Sequence, residues 1–149
     1  IDHGDYPYVT SSHCTTAGAL LNAIPPSWIR DVWGIAKLYE TYSGFKEFEP
    51  KEKIFQDLRD AGNEYGATTG RARQCNWMDY DMLEKAARIN GVNKLVFNKV
   101  DILEEVNVWK LINNNETMEF DRGEDMRNWV VAQLGKDIDV HFSSSPHRL

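Results

Sequence analysis

Asn63-Glu64-Tyr65-Gly66-Ala67-Thr68-Thr69-Gly70-Arg71-Ala72-Arg73 sets two threonine hydroxyls, two glycines and two guanidinium groups in one short loop. Backbone N–H groups, hydroxyl donors and forked cations in so small a volume suit a dicarboxylate or a phosphate. A flexible, solvated turn with two surface arginines has the same composition, and the loop alone does not separate the two readings. Its flanks place it. Before it, Glu49-Pro50 precedes a helix over 51–61 with Ile54, Phe55 and Leu58 on one face. After it, Asp79 is set to cap a helix carrying Met82, Leu83, Ala86, Ala87 and Ile89, which Asn90-Gly91 ends. The loop is therefore expected to lie between two helices.

Further out, residues 1–26 are polar and turn-rich and close on Pro25-Pro26. Ser27 reads as an N-cap for a helix bearing Trp28, Ile29, Val32, Trp33, Ile35, Ala36, Leu38 and Tyr39, with Gly44 beyond its end. Lys94-Leu95-Val96-Phe97 is a short apolar run of buried-strand type. Residues 106–112 and 117–120 flank Asn113-Asn114-Asn115-Glu116 as a β-hairpin. A last amphipathic helix spans 123–135, with Met126, Trp129, Val130 and Leu134 inward, and 139–142 is a final strand. Helices alternating with strands imply an α/β layer structure. Two core strands and a hairpin make an incomplete sheet flanked by helices. Trp33, Trp109 and Trp129 fall on apolar faces and are expected in the core.

The 149 residues fit one domain, 1–149, able to bury roughly 70% of its unfolded surface. The charge of −6 disfavours a broad nucleic-acid-binding face, which needs clustered positive charge. Local positive charge remains at Arg71, Arg73 and Arg148, so an anionic small molecule is the better expectation. No apolar run reaches membrane-spanning length, and no membrane partner is expected. Cys14 and Cys75 read as free thiols of a reducing cytoplasm. The chain opens Ile1-Asp2-His3-Gly4, from which a processed product or a piece of a longer polypeptide is expected.

Two further segments have ligand-binding chemistry. Tyr6-Pro7-Tyr8-Val9-Thr10-Ser11-Ser12, continuing to Gly18, offers neutral hydroxyl donors to phosphate oxygens; it is equally a Ser/Thr turn bonding its own backbone. Asn98-Lys99-Val100-Asp101 and Ser143-Ser144-Ser145-Pro146 each follow a predicted strand, and strand ends are where α/β folds take nucleotides. Asp101 is also placed to cap the short turn Ile102-Leu103-Glu104. His3, His13, His141 and His147 lack partners at ligand spacing, so no metal residue is expected.

In this order the segments resemble the adenylosuccinate synthetase family, specifically its C-terminal half. The matching stretches are Asp2-His3-Gly4 with Tyr6 to Ser12, Thr15-Thr16-Ala17-Gly18, Gly34-Ile35-Ala36-Lys37, Gly62 to Arg71, and Lys99-Val100-Asp101-Ile102-Leu103. The resemblance implies the C-terminal part of a P-loop-type α/β domain, in a ligase that joins aspartate to C6 of a purine monophosphate. A nucleoside triphosphate (ATP or GTP) first phosphorylates the 6-oxo group, with Mg2+ held through the triphosphate and the N-terminal half. By the same resemblance Thr10 and Arg71 hold the acceptor nucleotide, while Thr68, Thr69, Arg71 and Arg73 grip aspartate. Lys99, Asp101, Ser143, Ser145 and Pro146 line the donor base pocket. The family's catalytic residues and phosphate loop lie in its N-terminal half, so none is assigned here, and this chain alone is expected to be inactive. A homodimer, the N-terminal half as partner, and a cytoplasmic location (the host's, if viral) follow as expectations.

The chain departs from the family pattern in several places. Tyr42-Ser43-Gly44-Phe45-Lys46-Glu47-Phe48-Glu49 replaces a usual Arg-Val-Gly segment, Ala72 replaces a basic residue, and Ser145 stands where the family has Gly. Shortened relatives in bacteriophages that use 2-aminoadenine condense dGMP rather than IMP with aspartate. These departures lean to that branch, with the ordinary branch that takes IMP standing beside it; a non-catalytic nucleotide-binding or assembly module is the alternative of another class.

Overall fold

The computed structural model describes residue 13 and residues 15–144. The helices are α1 (Ala17–Leu21), α2 (Lys53–Gly62), α3 (Tyr80–Asn90), α4 (Val100–Val106) and α5 (Gly123–Leu134). The strands are β1 (Trp33–Lys37), β2 (Tyr39–Tyr42), β3 (Gln74–Asp79), β4 (Lys94–Asn98), β5 (Trp109–Asn113), β6 (Glu116–Phe120) and β7 (Asp139–Phe142). They form two sheets, a parallel one ordered β1-β4-β7 and a mixed one ordered β2-β3-β5-β6. The α/β expectation stands, with more strand than the sequence suggested.

Local signals set most elements. Asp79 caps α3 by accepting from the Met82 N–H at 3.0 Å, and Gly91 ends it at φ 62°. Asn63 ends α2 at φ 50°, a left-handed angle that asparagine tolerates. Asn114 and Asn115, at φ 52° and 60°, make the two-residue turn that matches the twist of β5 and β6. The expected strands at 94–97 and 139–142 pair with each other, Phe97 opposite Phe142 with their rings stacked 5.2 Å apart.

Two readings need correction. Residues 28–39 are not a helix. Pro26–Trp28 makes one 3-10 turn, and the chain then extends into β1 and β2. The apolar residues of this stretch fit a period of two as well as one of 3.6, and packing decides between them. β1 lies parallel to β4, with Gly34 so close that a Cβ would stand 2.9 Å from the Leu95 side chain. Trp33 is consequently on the outer face and 48% exposed, not in the core, whereas Trp109 is buried and Trp129 packs against Tyr80.

The second correction is β3, which runs where a loop leading into α3 was expected. Its residues alternate, with Cys75 and Trp77 buried while Gln74 and Asn76 face the 44–49 segment. The core forms between the two sheets' helices from Leu38, Tyr39, Phe55, Leu58, Trp77, Phe97, Leu103, Leu111, Met126 and Val130. Each fully buried large side chain of this kind contributes about 1.5–3 kcal/mol relative to exposure.

Candidate functional site

The 63–73 loop leaves α2 and returns as β3. A bridge between Tyr65 and Ala72 closes its neck, and the Gly66 N–H donates to the Arg71 carbonyl at 2.8 Å. The Gly70 N–H donates to the Gly66 carbonyl at 2.8 Å, with Gly70 itself at φ 65°. Thr69 Oγ1 accepts from the Arg71 N–H at 3.3 Å and would stand 2.9 Å from any Cβ placed on Gly66. Thr68, Thr69, Gly70 and Arg71 are exposed at the turn. The loop is built by its own backbone and the Thr69 hydroxyl, and Thr68, Thr69 and Arg71 stay exposed on it.

Beneath it sits Glu64, whose side chain is 2% exposed. Its Oε1 accepts from Lys37 Nζ at 2.7 Å and from the Tyr39 hydroxyl at 2.6 Å; its Oε2 accepts from Arg73 Nη1 at 3.0 Å. Burial works against ionisation of Glu64, but hydrogen bonds from Lys37, Tyr39 and Arg73 and the nearby Lys37 charge outweigh it and hold the carboxyl below its ordinary value. Burial, with the hydrogen bond to Glu64, pushes the Tyr39 phenol upward, so it stays a donor. Arg73 is thus partly committed: its N–H donates to the Glu64 carbonyl at 3.0 Å, and its own carbonyl accepts from Arg59 Nε at 2.7 Å. Arg71 is held differently. Its Nη2 donates to the Gly44 carbonyl at 3.4 Å, and the guanidinium lies over the Phe45 ring, 4.8 Å from its centre.

The second group of sequence-marked residues lies at the carboxyl ends of the parallel strands. Lys37 and Asn98 are register partners at the ends of β1 and β4. Next to them the buried Ser143 donates its N–H to the Phe97 carbonyl at 2.7 Å. Lys99 turns the chain at φ 61° and sends Nζ to the Gly62 carbonyl at 2.9 Å. That bond joins the two regions, because Gly62 ends α2 just before Glu64. Asp101 is exposed in the first turn of α4 and is not its N-cap, a position Lys99 occupies. Asn98 Oδ1 is buried without a hydrogen-bond partner among the described residues, a state native proteins keep rare. Thr10, Ser145 and Pro146 lie outside the described residues.

The loop thus presents Thr68, Thr69 and Arg71 above the buried Glu64 carboxylate, and its exposed donors suit an anionic group. The adenylosuccinate synthetase family model matches residues 1–130. The chain belongs to that family. It is 50% identical over 107 residues to the adenylosuccinate synthetase of Stenotrophomonas maltophilia and 46% identical over 106 residues to that of Halothermothrix orenii. Those alignments take in 70% and 69% of this chain but 25% of each relative, so the chain spans about a quarter of their length. A fully ligated adenylosuccinate synthetase from Plasmodium falciparum superposes with a TM-score of 0.66 at 32% identity, over 83% of this chain and 32% of that one.

Sequence reading found the exposed face of this adenylosuccinate synthetase-type loop but gave no role to Glu64, Lys37, Tyr39 or Gln74. The available signal for Glu64 was its place just past the Asn63 helix cap, before Tyr65. Its partners lie 27 and 25 residues upstream, beyond any local pattern.

Proposed function

We propose that this chain supplies the aspartate-holding and base-holding part of a C–N bond-forming ligase of purine nucleotide synthesis. The γ-phosphoryl group of a triphosphate passes to the 6-oxo oxygen of a purine monophosphate. The aspartate amine then forms the N–C6 bond as the C6–O bond breaks, releasing phosphate and a proton. Thr68, Thr69, Arg71 and Arg73 take the aspartate carboxylates, with Arg71 also beside the ribose and Thr10 on the monophosphate. Lys99, Asp101, Ser143, Ser145 and Pro146 take the base of the triphosphate.

The observation that carries this reading is the loop itself, which holds Thr68, Thr69 and Arg71 outward while Glu64 occupies Arg73 from below. Forked guanidinium groups fix both angle and distance of a carboxylate, as orientation of an amine against a ring carbon requires. The Mg2+ of the reaction belongs in this reading to the triphosphate's own phosphates and to the family's N-terminal half.

The remaining catalytic groups come from the family's N-terminal half, which we place against β1. β1 is paired on one side only among the described residues, and Trp33 and Ile35 expose an apolar face beside a cleft of about 440 Å³. A homodimer acting in the cytoplasm is part of the same proposal. Bacterial relatives at 46–50% identity favour IMP as acceptor. The divergent 42–49 segment, which meets Arg71 at Gly44 and Phe45, favours dGMP as in the phage branch.

A crystal soaked with L-aspartate tests the central point. The acid is expected against Thr68, Thr69 and Arg71, and density for it elsewhere overturns the assignment. Turnover of IMP against dGMP by the full-length polypeptide then decides the branch.

A further inference from the structure

Phe45 is 91% exposed, more than any other large apolar side chain described, yet the loop beneath it is firmly built. Gln74 of β3 holds both sides of that loop through one amide. Its Nε2 donates to the carbonyls of Gly44 at 3.3 Å and Lys46 at 2.7 Å, and its Oε1 accepts from the N–H groups of Phe48 at 2.8 Å and Glu49 at 3.2 Å. Asn76 Nδ2 adds a bond to the Phe48 carbonyl at 3.1 Å, and the Tyr42 and Phe48 rings pack at 5.6 Å. A Cβ at Gly44 would overlap the Tyr42 hydroxyl, so a side chain there would have to displace the phenol. An exposed aromatic is ordinary; one presented by a cross-linked loop against a ligand-site arginine is not.

We infer that Phe45 is a positioning residue of the carboxylate cradle. Its ring lies under the Arg71 guanidinium, with Cζ 4.8 Å from the ring centre, and the Gly44 carbonyl takes one Nη2 hydrogen at 3.4 Å. Two contacts from one cross-linked loop restrain where the guanidinium sits. A ring contact uses the charge and no particular N–H donor, so the remaining donors stay available to a carboxylate. Ordering a long, solvent-exposed side chain before the ligand arrives reduces what binding must spend on it. This inference rests on the proposed function, since it takes the 66–73 loop as the aspartate site.

The test follows the backbone amide signals of the 66–73 loop by NMR in the full chain while L-aspartate, and separately succinate, is titrated. Phe45→Leu should weaken L-aspartate about two- to fivefold, the range of an exposed cation–π contact, while Phe45→Trp retains or tightens binding. In an Arg71→Ala background, Phe45→Leu should have no further effect, because the ring acts through that guanidinium. Equal affinity in Phe45→Leu and the parent overturns the inference and leaves the aspartate site standing. An undiminished effect of Phe45→Leu in the Arg71→Ala background overturns it as well, since it marks a purely structural role. If the parent loop shows no response to either acid, or Arg71→Ala does not weaken it, the aspartate site fails and the inference with it.

Discussion

Lys37 Nζ stands 2.7 Å from Oε1 of Glu64, tying the carboxyl end of β1 to the loop that follows α2. The Glu64 side chain is 2% exposed and the lysine 24%, so the acid is enclosed while its cationic partner still touches solvent. The same carboxylate holds Arg73 at 3.0 Å. One buried charge therefore fixes the base of the 66–73 loop to a parallel strand, and the exposed donors inherit that placement.

Replacing Glu64 with glutamine keeps its volume and removes its charge. Lys37 and Arg73 lose a charge-assisted partner, but both reach water, which softens the loss. The expected cost is about 2–4 kcal/mol, somewhat under the roughly 3–5 kcal/mol that breaking a fully buried pair exacts. A urea titration of Glu64→Gln against the parent measures it, and a difference below about 0.5 kcal/mol would deny Glu64 its organising role.

Glu64 also sets an acid dependence. Its folded pKa lies below the ordinary 4.5, so just below 4.5 the unfolded chain binds more protons than the folded one. The stabilisation is present above 4.5 and is lost as pH falls through the folded value. The urea midpoint should drop more steeply from pH 5 to pH 3 in the parent than in Glu64→Gln. Surface pairs such as Arg122–Asp125 titrate alike in both proteins and cancel.

Glu40 has the opposite sign. Burial, helped by the adjacent Asp79 carboxylate, raises its pKa above 4.5, while the Asp79 N–H bond at 3.2 Å partly offsets this. Between 4.5 and the raised value the folded protein keeps a proton that the unfolded chain has lost, so stability falls as pH rises. Glu40→Gln retains an acceptor for the Asp79 N–H and removes the charge. Its urea midpoint should exceed the parent's at pH 7, and the two should converge below pH 4.5.

Gly62 leaves no room for a side chain. A Cβ there would stand 2.5 Å from the Tyr39 hydroxyl and 3.2 Å from Glu64 Cγ. Gly62→Ala should displace the phenol from the carboxylate and cost about 1–3 kcal/mol through overpacking. Calorimetry gives the loss, and a crystal structure should show the 2.6 Å Tyr39–Glu64 bond lengthened.

Arg71 separates binding from folding. It is exposed, with one 3.4 Å bond and one ring contact, so Arg71→Ala should change stability by no more than about 0.5 kcal/mol. Dependence on aspartate should suffer by tenfold or more, about the loss of one charge-assisted hydrogen bond. A parent-like aspartate titration would remove the loop from the aspartate site.

The amino-acid order by itself determined the elements whose cues are local. Asp79 caps α3 because its acceptor lies three residues from the N–H it serves, and Asn114-Asn115 turns the hairpin because those residues accept positive φ. The loop's outward hydroxyls and Arg71 were legible for the same reason: glycine spacing and side-chain chemistry need no distant partner.

Tertiary structure decided the rest. Residues 28–39 carry apolar spacing that suits either period, and β1 wins because β4 offers a parallel edge and Gly34 admits it closely. β3 was hidden because Gln74 and Asn76 look like loop residues; their polar groups are satisfied by the 44–49 segment, which only the fold brings alongside. Glu64 meets Lys37 and Arg71 meets Gly44 across 27 residues in each case. Contacts at that distance arise from sheet pairing and helix packing acting together, and no window of sequence contains them.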